Sequence, residues 1–198
     1  MHDWSELGRI VHLQIQRSSL KMGPPKGRYY DPAPLRSVES ITLTPEGVSL
    51  ETGDGTIYDV HNALHPETKH VQGINGVSIG FTSHYSAMRE RFHAGLCDGI
   101  AGENILIECT GLVRLDDIAG GLKVTGADGR EIQLHGVRVA HPCVEFSRFA
   151  LDDPLAPPAL VSEALKFLDG GLRGFYAAVP NGSRARIRLG DIVWGRAA

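Results

Sequence analysis

Long apolar runs are missing from this chain. No window approaches the roughly 18 apolar residues of a membrane-spanning helix. The opening segment, MHDWSELGRIVHLQIQR, lacks the basic start and unbroken apolar stretch of a secretory signal. Both absences lead to the expectation of a cytoplasmic protein without a membrane partner. Cysteine is also scarce. There are three, Cys97, Cys109 and Cys143, with no CxxC spacing, which speaks against a disulfide framework and a structural zinc centre. An odd count leaves room for one reactive thiol. Strong charge of either sign is absent too: the net charge is −3 and the pI about 6.3, giving no general pull toward nucleic acid or an anionic membrane.

What remains is an ordinary globular composition, 42% hydrophobic and 22% charged over 198 residues, which suits a single domain spanning 1–198. The 24 glycines and 11 prolines cut the chain into short segments and favour strands and turns. GRIVHLQIQ alternates as a half-buried strand, with Val11, Leu13 and Ile15 on one face. KMGPPKGRYYDPAP, with four prolines, reads as a basic loop without regular structure. Residues 38–60 read as short strands with turns at E46-G47 and G53-D54-G55. Two stretches have helical periodicity. TSHYSAMRERF starts at a Thr82 or Ser83 cap and stripes Tyr85, Met88 and Phe92; PPALVSEALKFLDGG starts at Pro158 and presents Leu160, Ala164, Phe167 and Leu168. The remainder is strand-like. The expectation is a mostly-β, barrel-like fold with two or three peripheral helices.

Several groups carry chemistry. Cys109 shares a strand face with Ile105 and Ile107 and reads as core, while Cys97 reads as an incidental loop thiol. Cys143, in V-A-H-P-C-V-E-F, sits at a strand end with Val139 and His141 on its side, and Pro142 forces the chain out of the sheet. Two readings stay open for it: a packed small hydrophobe, or a thiolate serving as nucleophile or metal ligand. D-G-I-A-G-E-N-I is either a tight turn or a glycine-bounded ligand contact through Glu103 and Asn104. His61, His65 and His70 have loose metal-ligand spacing, broken by Pro66. Arg184, Arg186 and Arg188 share a strand face, either a solvated edge or an anion-binding stripe.

G-E-N-I at 102–105, H-P-C at 141–143 and L-R-G-F-Y-A-A-V…I-R-L-G-D-I-V at 172–193 follow one another in an order that resembles the MOSC domain family, named for the C-terminal part of molybdenum cofactor sulfurases. The preceding G-V-S-I-G-F-T-S-H-Y is similar to the strand and helix before that family's GEN turn, and the likeness spans about residues 8–195. It implies a β-barrel-like fold and one functional cysteine, which falls on Cys143. It further implies that Cys143 either carries sulfur as a persulfide or ligates molybdenum in a bound molybdopterin, with His141 tuning its ionisation. Gly102, Glu103 and Asn104 would line the same pocket, and Arg173 and the 184–188 stripe would meet a pterin phosphate. The activity implied is sulfur transfer, or reduction of N-hydroxylated compounds by a molybdenum-cofactor enzyme. No stretch resembles an aminotransferase-like domain, so pyridoxal phosphate is not expected. A sulfur donor such as a cysteine desulfurase, or a redox partner, is expected instead. The competing expectation is a non-catalytic barrel that binds a small anion or a protein, and nucleic-acid binding through the arginines is the weakest.

Overall fold

The computed structural model describes residues 3–69 and 73–198. The first half holds β1 (Ser5–Gln16), β2 (Lys21–Met22), β3 (Tyr29–Tyr30), β4 (Leu35–Val38), β5 (Ser40–Thr44), β6 (Gly47–Thr52), β7 (Gly55–Tyr58), β8 (Val77–Phe81) and α1 (Thr82–Arg91). The second holds β9 (Ile105–Ile107), α2 (Leu115–Ile118), β10 (Gly121–Thr125), β11 (Glu131–Val139), α3 (Val144–Ala150), α4 (Pro158–Leu168), β12 (Phe175–Ala178), β13 (Ala185–Arg188) and β14 (Ile192–Arg196). Seven strands close a barrel in the order β1-β14-β10-β11-β12-β8-β9, with β9 returning to β1. Its neighbours are antiparallel except β8 and β9, which run parallel with α1 in the crossover between them. A second sheet, β13-β5-β6-β7, lies outside that ring. The mostly-β expectation holds: among the described residues there are four helices, with 17% helix against 36% strand.

Closure depends on β1. Its start pairs with β14, its middle with β9 and its end with β4. A register shift between Ile10 and His12 alters the simple alternation. Ile10, Leu13 and Ile15 therefore enter the core while Val11 is exposed, and Gln14 and Gln16 are buried on the opposite face. The proline loop holds one small regular piece, the β2–β3 hairpin. Helix α1 begins at Phe81 without a side-chain cap, because the Thr82 hydroxyl is spent on Cys109. In α4, Val161 rather than Leu160 joins Ala164 and Leu168 on the buried face.

Apolar side chains form two clusters. One fills the barrel with Leu13, Ile79, Phe81, Phe175 and their neighbours. The other lies under the helices and joins Leu20, Tyr30, Tyr85, Met88, Phe146 and Leu168. Between α1 and the barrel, His84 is 2% exposed and packs against the Phe81 and Phe175 rings. Its Nε2 donates to the Val113 carbonyl at 3.0 Å. Burial lowers its pKa from 6.5 to about 4. A histidine held neutral in the fold is protonated first in the unfolded chain, so its contribution is complete above pH 6.5 and lost as pH falls toward 4. Between about pH 7 and pH 5 this group should remove about 2 kcal/mol of stability. Urea unfolding of the wild type and His84→Gln at both pH values should show a flatter pH dependence in the variant. Identical slopes would contradict a neutral buried imidazole.

Candidate functional site

Cys143 stands where β11 has ended and α3 begins. The sequence pattern places it at a strand end, but β11 stops at Val139 and residues 140–142 leave the sheet, as Pro142 requires. Cys143 is the N-cap residue of α3, and its carbonyl accepts from the Ser147 amide at 2.9 Å and the Ser147 hydroxyl at 3.0 Å. Its side chain is partly buried against the helix-side cluster and also lines an open cleft of about 590 Å³. That volume is in the range of small-molecule and cofactor sites. Lys21, Arg28, Lys69 and Arg173 bring four cationic side chains to the same cleft, together with Tyr30, His61, His141 and Tyr176.

Arg173 has the most telling environment. Gly174 lies beside it at φ +121°, where a Cβ would come 2.6 Å from the Ile79 carbonyl, so the chain passes β8 at a distance only glycine allows. The guanidinium donates from Nη2 to the Ala101 carbonyl at 2.5 Å, while Nη1 is buried without a hydrogen-bond partner. Burial opposes its charge, but Tyr176, Glu103, Tyr30 and Tyr85 outweigh that and hold it above its ordinary value. A buried donor on a permanent cation thus keeps hydrogen-bonding capacity that the protein itself does not use.

The GEN turn lies beneath the cleft wall. Gly102 adopts φ +93°, and a Cβ on it would meet Leu20 Cδ1 at 2.8 Å, so the turn is closed over by packing. Glu103 points inward and accepts from the Tyr85 hydroxyl at 2.7 Å; burial pushes its carboxyl up, against the pull of Arg173. Asn104 is 1% exposed and its side-chain groups are engaged on both ends. Oδ1 accepts from the Ser78 amide and hydroxyl, and Nδ2 donates to Gln14 O and, at 2.8 Å, to Asp59 Oδ2.

That last bond leads to residues whose role the sequence pattern does not reveal. Asp59 is fully buried and also accepts from the Gln16 amide, the His61 amide and, at 3.0 Å, His61 Nδ1. His61 lines the cleft, so Asn104 reaches the site through Asp59 and His61. Asn104 and Asp59 are 45 residues apart, which hides the chain of contacts from any local motif. A second omission is Glu145. Burial raises its carboxyl, but its own backbone amide, Lys21 and the Cys143 thiol overcome this and hold it below the ordinary value. Its carboxylate lies 3.6 Å from Lys21 Nζ. Its spacing two residues after Cys143 was the available signal.

His141 shares the cleft with Cys143, and its Nδ1 pairs with Asp169 at 2.9 Å on an exposed rim. The arginine stripe is elsewhere. Arg184, Arg186 and Arg188 line a separate groove with Arg130, where Glu51 pairs with Arg184, Asp128 pairs with Arg130 and Arg188, and Arg186 donates to the Ser40 hydroxyl. Cys97 is exposed, and Cys109 packs on the barrel core with its thiol near Gly111 O. Among the described residues no three His, Cys, Asp or Glu side chains are grouped to hold a metal ion; His70 lies outside the described residues. No described helix is long and apolar enough to cross a membrane.

No protein-family model matches the chain, and no curated protein matches it. Solved structures do. The YuaD protein from Bacillus subtilis aligns over 99% of this chain and 100% of its own, with a TM-score of 0.61 and 13% identity. YiiM from Geobacillus stearothermophilus aligns over 94% of this chain and 74% of its own, with a TM-score of 0.52 and 16% identity. A hypothetical protein aligns over 96% and 68%, with a TM-score of 0.55 and 11% identity. The chain has a MOSC-like fold.

Proposed function

We propose that this is a stand-alone MOSC-type protein in which Cys143 handles sulfur inside an anion-binding cleft. One observation carries the reading: the Cys143 thiol and four cationic side chains line a single open cleft, and one of those cations has a buried unpartnered donor. In sulfur transfer, the Cys143 thiolate attacks the outer sulfur of a persulfide on a donor such as a cysteine desulfurase. A new S–S bond forms at Cys143 as the donor's S–S bond breaks, and the donor leaves as a thiolate, so no external oxidant is needed. Glu145 stands beside the thiol with its carboxylate 3.6 Å from Lys21 Nζ, so a charged pair flanks the reacting sulfur. His61, fixed by Asp59, supplies an oriented imidazole on the cleft wall.

The size and charge of the cleft favour a second use of the same thiol. The residues fit a molybdopterin: Arg173, Arg28, Lys21 and Lys69 would hold its phosphate, and Cys143 would supply a thiolate of the kind molybdenum accepts. When bound, that group would supply two-electron redox chemistry. Elemental analysis of protein made in a host with a working molybdenum-cofactor pathway separates the two uses. Near-stoichiometric molybdenum that vanishes in Cys143→Ala is expected for ligation. Metal-free protein bearing cyanide-labile sulfur that vanishes in the same variant is expected for carriage. Absence of both, with Cys143 resistant to alkylation in the folded protein, would overturn the proposal in favour of a non-catalytic binding module.

A further inference from the structure

Beside the Cys143 cleft lies a second cavity of about 280 Å³, formed by the β2–β3 hairpin, α3 and the turn that follows α3. Arg28 and Tyr30 line both cavities, so they form a shared wall. The aromatic side is built from Tyr30 and Phe149, whose ring centroids are 5.0 Å apart, with exposed Tyr29 alongside. Phe146 supports them from below at 5.1 Å from Tyr30.

The polar side is unbalanced in a particular way. Two of its acids are committed: Glu145 to Lys21, and Asp153 to the Leu155 amide at 2.9 Å. Its two arginines are not. Neither Arg28 nor Arg148 forms an ion pair among the described residues, and Arg148 Nε is buried without a partner. Asp152, the remaining acid, sits in the following turn at φ +54°, the one non-glycine residue with positive φ among those described. Such a conformation costs free energy and is held by its surroundings, here by the Asp152 and Asp153 amides bonding back to Phe149 and Arg148. The turn thereby closes one end of the cavity.

We infer that this annex is the organic-substrate subsite of the Cys143 cleft and takes a planar ring bearing an anionic group, such as an aromatic carboxylate. The ring lies against Tyr30 and Phe149, the anion is met by Arg148 and Arg28, and the shared wall directs the rest of the molecule toward Cys143. This rests on the reading of Cys143 as the reacting group, but binding itself does not require the thiol.

Benzoate titrated into the full chain, followed by ligand-observed NMR, tests the assignment. Saturable binding is expected, with benzamide about tenfold weaker because it lacks the charge. Arg148→Gln and, separately, the exposed-loop variant Arg28→Gln should each weaken benzoate by about tenfold while leaving the thermal midpoint near that of the wild type. Cys143→Ser should bind benzoate like the wild type. Unsaturable binding, equal affinity for benzamide, or undiminished affinity in both arginine variants would overturn the inference. So would a loss confined to Arg173→Met, which would place the benzoate in the larger cleft. Benzoate binding in the annex of a protein that never loads sulfur or molybdenum on Cys143 would instead count against the proposed function alone.

Discussion

Replacing Asn104 with alanine is expected to destabilise the fold by about 3–5 kcal/mol. The loss exceeds that of an ordinary surface amide because the Asn104 side chain is the junction of a buried network. Without it, the Ser78 amide and hydroxyl lose their acceptor, and Asp59 Oδ2 loses a donor in a fully buried position. Asp59 keeps the Gln16 amide on Oδ2 and His61 on Oδ1, but a donor removed from a buried charge costs more than the average hydrogen bond contributes. His61 depends on that carboxylate for its ring orientation, so the site should loosen along with the scaffold. Asn104→Asp should be no better, since it sets a second buried carboxylate against Asp59. Denaturant unfolding measures both, and a loss below about 1 kcal/mol would show that the network is not a unit.

Arg173→Met should have the opposite profile: stability preserved, anion binding lost. The guanidinium is a buried cation with one hydrogen bond, to Ala101 O, and an unpartnered Nη1. A linear apolar side chain removes that desolvated charge, and Glu103, whose carboxyl burial already pushes up, takes a proton in place of its lost counter-charge. Its thermal midpoint should equal or exceed that of the wild type. Phosphate binding, read by calorimetry, should weaken by about 30-fold or more, since a charge-assisted hydrogen bond contributes about 1.5–3 kcal/mol and Arg173 offers more than one donor. If stability instead fell by several kcal/mol with phosphate affinity intact, Arg173 would be a structural residue.

The legible and illegible parts of this protein differ in range. Strands β5 to β7 and helices α1 and α4 announce themselves through turn residues and periodicity, both local. The seven-residue α3 does not: it is too short for periodicity to register after the Ala-His-Pro exit from β11, and so Cys143 reads as a strand end. The register shift at Ile10–His12 likewise exchanges the faces of β1 without altering its residue types.

The same contrast runs through the site. Cys143 and Arg173 are marked by the order of the MOSC-like motifs, and they line one cleft. Gly102, Glu103 and Asn104 carry equally plain signals, but the left-handed turn at Gly102 directs their functional groups into the protein, where Tyr85, Ser78 and Asp59 receive them. Residue type gives no indication of that inward turn. The Arg184–Arg188 stripe is correctly patterned as one exposed face, yet β13 belongs to the outer sheet, where Arg184 and Arg188 meet Glu51 and Asp128 and Arg186 donates to the Ser40 hydroxyl. Charge pattern alone does not distinguish these engaged arginines from Arg173, whose Nη1 has no partner.

In the proposed function Cys143, and neither Cys97 nor Cys109, is the sulfur-handling thiol. The most direct test is peptide mapping by mass spectrometry after incubation of the folded protein with a cysteine desulfurase and cysteine, with free thiols blocked before digestion. One additional sulfur atom is expected on the Cys143 peptide, removed by cyanide and absent from the Cys97 and Cys109 peptides. Sulfur on the exposed Cys97 with Cys143 unmodified, in protein that also carries no molybdenum, would contradict it.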